Sequence, residues 1–407
     1  MPTRSVTTDP MKRFEKSFTR QEAIPQSGID KAVQVLQSGK LHRYNIEPGE
    51  IGETSALEEE YAAYQGSDYC LAVTSGGQAI QIALRAAGIK PGDQILANAY
   101  TLAPVPGAIH AVGARPVFLE IGDDWLTVID DLRAKAEASG AKFLMLSHMR
   151  GHIADMDAIC ACCNEFGITM IEDCAHTMGA QWKGTKSGNF GKVACFSTQT
   201  YKHMNSGEGG FLTTDDAEIA ARATILSGSY MLYERHGASP PPEVFKTIRL
   251  ETPNCSARLD NLRAAILRAQ LPLLDTNVQR WNERYRAIED GLGNARGIRI
   301  VARPEHEFFV GSSFQFHVDG MGAENIPVFI SSCLARGVEL KWFGPEDPIA
   351  FTSRYDSWRY IDDMPSLPRT LKALSTTCDL RIPLTFDESD CRCIAEIIAE
   401  EAGQIVG

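Results

Sequence analysis

The chain has 407 residues, 44% of them apolar, and a formal net charge of −12. This length suits two packed regions, or one large α/β domain with a smaller companion, and the acidic balance argues against nucleic acid or an anionic membrane surface as a partner. Eleven cysteines, an odd number without a repeating spacing, point to a reducing, cytoplasmic setting and away from a disulfide framework.

Residues 1–28 are polar and aperiodic and read as an N-terminal arm without a signal-peptide core. Helical spacing of apolar residues follows at 28–38 and 55–64. From residue 70 the rhythm changes. Short apolar runs at 70–74, 94–98, 115–121, 142–147, 168–172, 192–197 and 210–214 alternate with helix-like stretches such as AIQIALRAAG and DMDAICACCNEFG. Strand and helix in turn predict an α/β fold with a large, mostly parallel sheet. The Pro-rich segment 229–250 reads as a loop, a lid or an arm to a second subunit. An amphipathic helix over 258–280 closes a large domain of residues 29–280, and residues 281–407 form a smaller α+β domain. No apolar run approaches the ~20 residues that span a bilayer. Cys160, Cys162 and Cys163 lack the paired spacing of a zinc site and read as small buried residues of a helix, so no metal is expected.

The chemistry concentrates between Ile171 and Gly210. Asp173 ends the apolar run GITMIED, Ser197 and Lys202 follow five apart, and SGEGG (206–210) turns the chain back. A lone lysine is ordinarily a solvated surface charge. This one lies after a buried strand, where parallel α/β sheets place their ligands, and desolvation there lowers an amine's pKa. A carboxylate at the end of a buried strand needs a partner, either the amides of a following helix or a protonated ring nitrogen. Glu172 alternates to the other face. His176 can face a ligand ring or be structural. TSGGQAI (74–80) joins a strand to a helix whose first amides form an anion site, and neither it nor GNFGK (188–192) has the P-loop or dinucleotide spacing. A lysine for a Schiff base, an acid for a pyridine nitrogen and hydroxyls with amides for a phosphate are the parts of a pyridoxal 5′-phosphate (PLP) site.

Taken in order, SGGQAI, PGDQI, GARPVF, ADMDAI, IEDCAHTMGA, FS-x4-K, SGEGG and N-x3-RLDNLRAAILRAQL resemble the DegT/StrS family of PLP-dependent sugar aminotransferases, over nearly the whole chain. The resemblance implies PLP fold type I. It gives Lys202 the Schiff base and the proton shuttle, Asp173 the pyridine nitrogen, and His176 a place beside the ring. Ser197 and the backbone of Gly77 and Gln78 are assigned the phosphate. Asn254 is assigned the phosphate of a neighbouring subunit, and Arg235 and His236 resemble a loop near the partner's site. Both imply a homodimer with shared active sites.

The sequence departs from the family in three places. Thr101-Leu102 stands where an aromatic ring normally stacks on the cofactor, so either Leu102 or Tyr100 covers it. SHMRGHIADMD puts Arg150 and His152 near a substrate loop. Of the paired glutamines in the glutamine-dependent keto-cyclitol aminotransferases, Gln199 alone is present. The resemblance thus implies transfer of an amino group from glutamate or glutamine to a keto-sugar, nucleotide-linked or not, or a keto-cyclitol. Another PLP reaction on this fold and a catalytically silent PLP-binding homologue are the rivals. Lys202 argues against the dehydratases that carry histidine there, and the intact Asp173, Ser197 and Lys202 argue against decay.

Overall fold

The seven apolar runs become the seven strands of one sheet: β1 (Tyr69–Val73), β2 (Gln94–Asn98), β3 (Arg115–Leu119), β4 (Phe143–Ser147), β5 (Thr169–Asp173), β6 (Val193–Ser197) and β7 (Gly210–Thr214). They are taken from a computed structural model that describes residues 12–407. The spatial order is β1-β7-β6-β5-β4-β2-β3. All neighbours run parallel except β7, which is antiparallel to both β1 and β6. Helices cover both faces, so successive strand residues serve opposite cores: Leu144 and Leu146 of β4 enter one cluster and Met145 the other. This is why the strands read as unbroken apolar runs.

The smaller sheet is antiparallel, with strands Ile298–Arg299, Ser313–Val318, Thr377–Arg381 and Lys341–Trp342 in that order. Helix Leu274–Leu292 packs against the C-terminal helix Glu388–Val406. The bridging helix differs from its sequence expectation. It begins at Asn261, breaks into a 3-10 turn at Leu271–Leu273, and resumes as far as Leu292. Pro272, which has no N–H to donate, lies in that turn, and the resumed helix belongs to the smaller domain's core.

Two other segments are better anchored than their sequences suggest. Residues 1–11 of the expected arm lie outside the described residues. Beyond them, Phe14 and Phe18 are buried edge-on against Phe386, and the Phe14 amide donates to the Arg336 carbonyl. Within 229–250, Pro242–Ile248 forms a short helix whose Phe245 is buried and stacked on Tyr233, with ring centroids 3.9 Å apart. No helix of the described residues is long and apolar enough to cross a membrane.

Candidate active site

Because β1, β2, β4, β5 and β6 run the same way, the segments that leave their C-terminal ends meet along one edge of the sheet. These are Thr74–Gly77, Tyr100–Ala103, Ser147–Gly151, Asp173–His176 and Ser197–Lys202. They surround a cavity of about 540 Å³, closed on its far side by residues 350–358 and by Arg381 from the smaller domain.

One wall is a backbone cradle. Ser75 caps helix Gly76–Ala86, its Oγ accepting from the Gln78 amide at 3.1 Å. Gly76 lies against Ser197: a Cβ there would come 2.8 Å from the Ser197 Cβ. Gly210 is similarly pinned, since its Cβ would meet the Phe196 carbonyl oxygen at 2.6 Å and the Gly76 nitrogen at 2.8 Å. Glycine at both positions lets β6, β7 and the helix N-terminus converge, and that terminus with the Ser197 hydroxyl is suited to an anion.

At the opposite end stands Lys202, its Nζ 2.7 Å from His176 Nε2. The Arg150 amide donates to His176 Nδ1 at 3.3 Å. An amide can only donate, so Nδ1 is the acceptor and the proton of the neutral ring lies on Nε2. His176 then donates to an unprotonated Lys202 amine. The electrostatics agree. Burial, helped by the Lys202 and Arg150 charges, holds His176 well below the usual histidine range. Burial, followed by the Arg150 charge, brings Lys202 down to about 7, and Asp173 opposes that shift. Burial also pushes His203 down to about 3.

Asp173 ends β5 and sits just outside the cavity wall. Its Oδ2 accepts from the Ser147 hydroxyl at 2.9 Å and its Oδ1 from the Ala175 amide at 3.1 Å. Asn98 fixes Ser147 in turn, accepting from its amide at 2.8 Å and donating to its carbonyl at 3.0 Å. This relay aims the carboxylate. Glu172, one residue earlier and on the other face, has a different task. It is buried and accepts from the amides of Gly188, Phe190 and Gly191 and from His148 Nε2, tying loop 188–191 to the sheet.

Of the residues singled out in the sequence, Gly77, Leu102, Arg150, His176, Ser197, Gln199 and Lys202 line the cavity. Gln78 is committed to its cap. Leu102 is on the wall, whereas Tyr100 is buried away from it, edge-on to Phe343. His152 is also apart, 2.7 Å from Gln315 Oε1 and tilted over Trp125. Asn254 is exposed and off the cavity of its own chain. The Arg235 guanidinium donates to the Tyr44 carbonyl. His236 is buried between Tyr44 and Arg43, beside the bidentate Arg43–Glu58 pair. Sequence reading missed Tyr201, Arg381, Phe351 and Trp358 on the wall, and Lys341 behind it. Tyr201 adjoins Lys202 and could have been found; the others come from segments with no motif.

The sequence matches the model of the DegT/DnrJ/EryC1/StrS aminotransferase family over residues 24–396. The chain belongs to this family. It is 33% identical over 324 residues to dTDP-3-amino-3,4,6-trideoxy-alpha-D-glucose transaminase of Streptomyces venezuelae, covering 74% of this chain and 79% of that one. It is 29% identical over 283 residues to L-glutamine:2-deoxy-scyllo-inosose aminotransferase of Streptomyces fradiae, covering 69% and 66%. The crystal structure of S. venezuelae DesV in complex with a ketimine intermediate superposes with a TM-score of 0.78 at 27% identity, over 93% of this chain and 94% of that one. The fold is therefore PLP fold type I, the chain is an aminotransferase, and family and neighbours imply pyridoxal phosphate. The residues fit that group: a glycine cradle that added Cβ atoms would fill, an amine held as free base, and a carboxylate aimed by two donors.

Proposed function

We propose that this protein transfers an amino group from glutamate or glutamine to the ketone of a sugar, nucleotide-linked or not, or of a cyclitol, with pyridoxal phosphate as cofactor. The observation that carries the reading is the buried Lys202 amine, 2.7 Å from His176 Nε2, lining the same cavity as a glycine anion cradle. When bound, the cofactor supplies an electron sink that lets an amino group and a proton change places. Lys202 would hold the cofactor through its aldehyde and, once free, would move the proton at its Nζ. His176 orients that nitrogen. Asp173, oriented by the Ser147 hydroxyl and the Ala175 amide, would face the pyridine nitrogen and favour its protonated form. Ser197 and the Gly76–Gly77 turn would hold the phosphate, and Leu102 would pack where the family has an aromatic ring.

The named activities of the two relatives support the sugar and cyclitol classes of acceptor. The exposed apolar residues Ile29, Val33 and Leu36 of helix Gln26–Ser38, with Leu41 and Ile51 close in sequence, support a homodimer in which Asn254 and Arg235 approach the partner's cavity, His236 being spent within its own chain. The test is the visible spectrum of the PLP-loaded protein during addition of glutamate or glutamine. The aldehyde-form band should fade with one of them and return with the matching keto acid. A band indifferent to every donor overturns the reading.

A further inference from the structure

The far wall of the cavity carries more positive charge than the chain itself balances. Arg381 and Asp379 lie two apart on strand Thr377–Arg381, and Lys341 pairs with Asp379 across the sheet. Asp379 is partly taken up: its Oδ1 accepts from Gln315 Nε2 at 2.7 Å, and its Oδ2, which has no hydrogen-bond partner, lies 3.1 Å from the Arg150 guanidinium. Among the described residues, neither Arg381 nor Lys341 has a carboxylate within ion-pair distance. Instead the Arg381 guanidinium lies 3.8 Å over the ring of Tyr201, the residue next to Lys202, and the Lys341 ammonium lies 4.9 Å from the ring centre of Phe351 on the cavity wall. The Arg150 Nε is buried without a hydrogen-bond partner. Glu208 lines the same cavity from its exposed rim and pairs with neither. The uncompensated charge is felt: burial, together with Arg150, holds Arg381 below its usual value, and Lys341 falls to about 8 by burial and the two arginine charges, against the pull of Asp379.

This cluster adjoins Lys202 and His176: the Arg381 guanidinium lies over Tyr201, the residue next to Lys202, and the Arg150 amide donates to His176 Nδ1. A cofactor phosphate on Ser197 therefore does not answer it. Donor and acceptor occupy one cavity in turn, so the wall must be answered in both half-reactions. The donor brings its own carboxylate. A neutral acceptor would leave two half-buried cations unmatched. We infer that the amino acceptor is itself an acid, a ring ketone bearing a carboxylate or phosphate group close to the carbonyl, seated by Arg381 with Lys341 behind the wall reinforcing its charge. The planar guanidinium offers two parallel donors to such an oxyacid, and the ammonium adds a point charge. The inference rests on the aminotransferase reading and narrows its acceptor class.

Calorimetric titration of the pyridoxamine-phosphate-loaded protein tests it, with four probes: 3-oxocyclohexanecarboxylate, 3-(hydroxymethyl)cyclohexanone, (3-oxocyclohexyl)methyl phosphate and dTDP-glucose. One of the two small anionic ketones should bind at least tenfold more tightly than the neutral one, and which of them does so separates carboxylate from phosphate. Arg381→Gln and Lys341→Gln should each remove most of that preference, and Arg381→Lys should restore part of it. Equal binding of anionic and neutral ketones, or a preference that survives both glutamine variants, overturns the inference. So does a result in which Arg381→Gln weakens dTDP-glucose alone, which would assign the wall to a nucleotide diphosphate. The donor half-reaction, followed separately by absorbance, keeps the two readings distinct. If it fails, the aminotransferase reading falls, whereas loss of the anion preference with an intact donor step removes this inference alone.

Discussion

The two ends of the cavity are built by opposite strategies. The cradle end is local: Ser75, Gly76 and Gly77 form one turn, and Ser197 and Gly210 belong to adjacent strands. Its chemistry is mostly backbone, so shape and the absence of side chains decide it. The amine end is assembled from Lys202, the 173–176 turn, residue 150 and the strands at 341 and 377–381 of the smaller sheet. Its chemistry is charge, and burial decides which groups carry a proton. Damage to the first should act through cofactor affinity, and damage to the second through protonation and substrate choice.

Lys202→Ala is the sharpest way to break that division. Turnover should fall by roughly 10²–10⁴-fold or more, while the intact cradle still binds pyridoxal phosphate non-covalently. Borohydride treatment followed by mass spectrometry should find the cofactor attached to the parent protein and not to the variant. Retention of full activity would remove Lys202 from the chemistry.

Glu172→Ala is expected to be the largest purely structural loss. It strands one buried and two half-buried amide donors and the buried His148, and each fully buried unsatisfied donor costs about 1–3 kcal/mol. Relaxation of the loop makes about 3–5 kcal/mol in all the reasonable expectation, read as a lower urea midpoint. An unchanged midpoint would show that loop 188–191 is not tied to the sheet through this carboxylate.

Gly76→Ala tests the cradle directly. Its Cβ would press on the Ser197 Cβ at 2.8 Å, a crowding of the kind that costs about 1–3 kcal/mol. The concentration of pyridoxal phosphate needed for half-loading should rise by about tenfold or more, with little change in which donor is used. A change in donor preference without a change in cofactor affinity would contradict the division of labour between the two ends.

The pH dependence of cofactor capture tests the amine end. The pKa of Lys202 is depressed from 10.5 to about 7, so the reactive free base grows as pH rises through that value. Schiff-base formation with added pyridoxal phosphate should quicken about tenfold per unit below pH 7 and level off above it. A plateau reached only near pH 10 would mean an ordinary, solvated lysine. By linkage, the unfolded chain binds the extra proton between pH 7 and 10.5, so this group lets stability rise with pH across that window. The smallest effect is expected from Ser147→Ala, which removes one hydrogen bond to the Asp173 carboxylate. A bond to a charged group is worth about 1.5–3 kcal/mol, so kcat should fall about tenfold or more with the fold intact.

The sheet was legible because a strand buried on both faces must be apolar throughout and bounded by turns, and all seven runs from 70 to 214 satisfy that condition. Asp173, Ser197 and Lys202 were legible as well, since parallel strands deliver their C-terminal residues to one edge whatever the rest of the chain does. The break at Pro272 was written in the sequence, and its consequence, a helix continuing to Leu292, depended on the core waiting beyond it. The tasks of neighbouring residues were not legible. Glu172 and Asp173 are both buried carboxylates, and they diverge because alternate strand residues face different surroundings, one the amides of 188–191 and the other the cavity edge. Nor did local spacing say that His176 donates to Lys202, since the tautomer is set by the amide of Arg150, 26 residues away. Arg381 and Lys341 carry no motif. Strand pairing in the smaller sheet and its closure over the larger one bring them to the cavity, and a charge has meaning for a site only once its burial and its unmet partners are fixed.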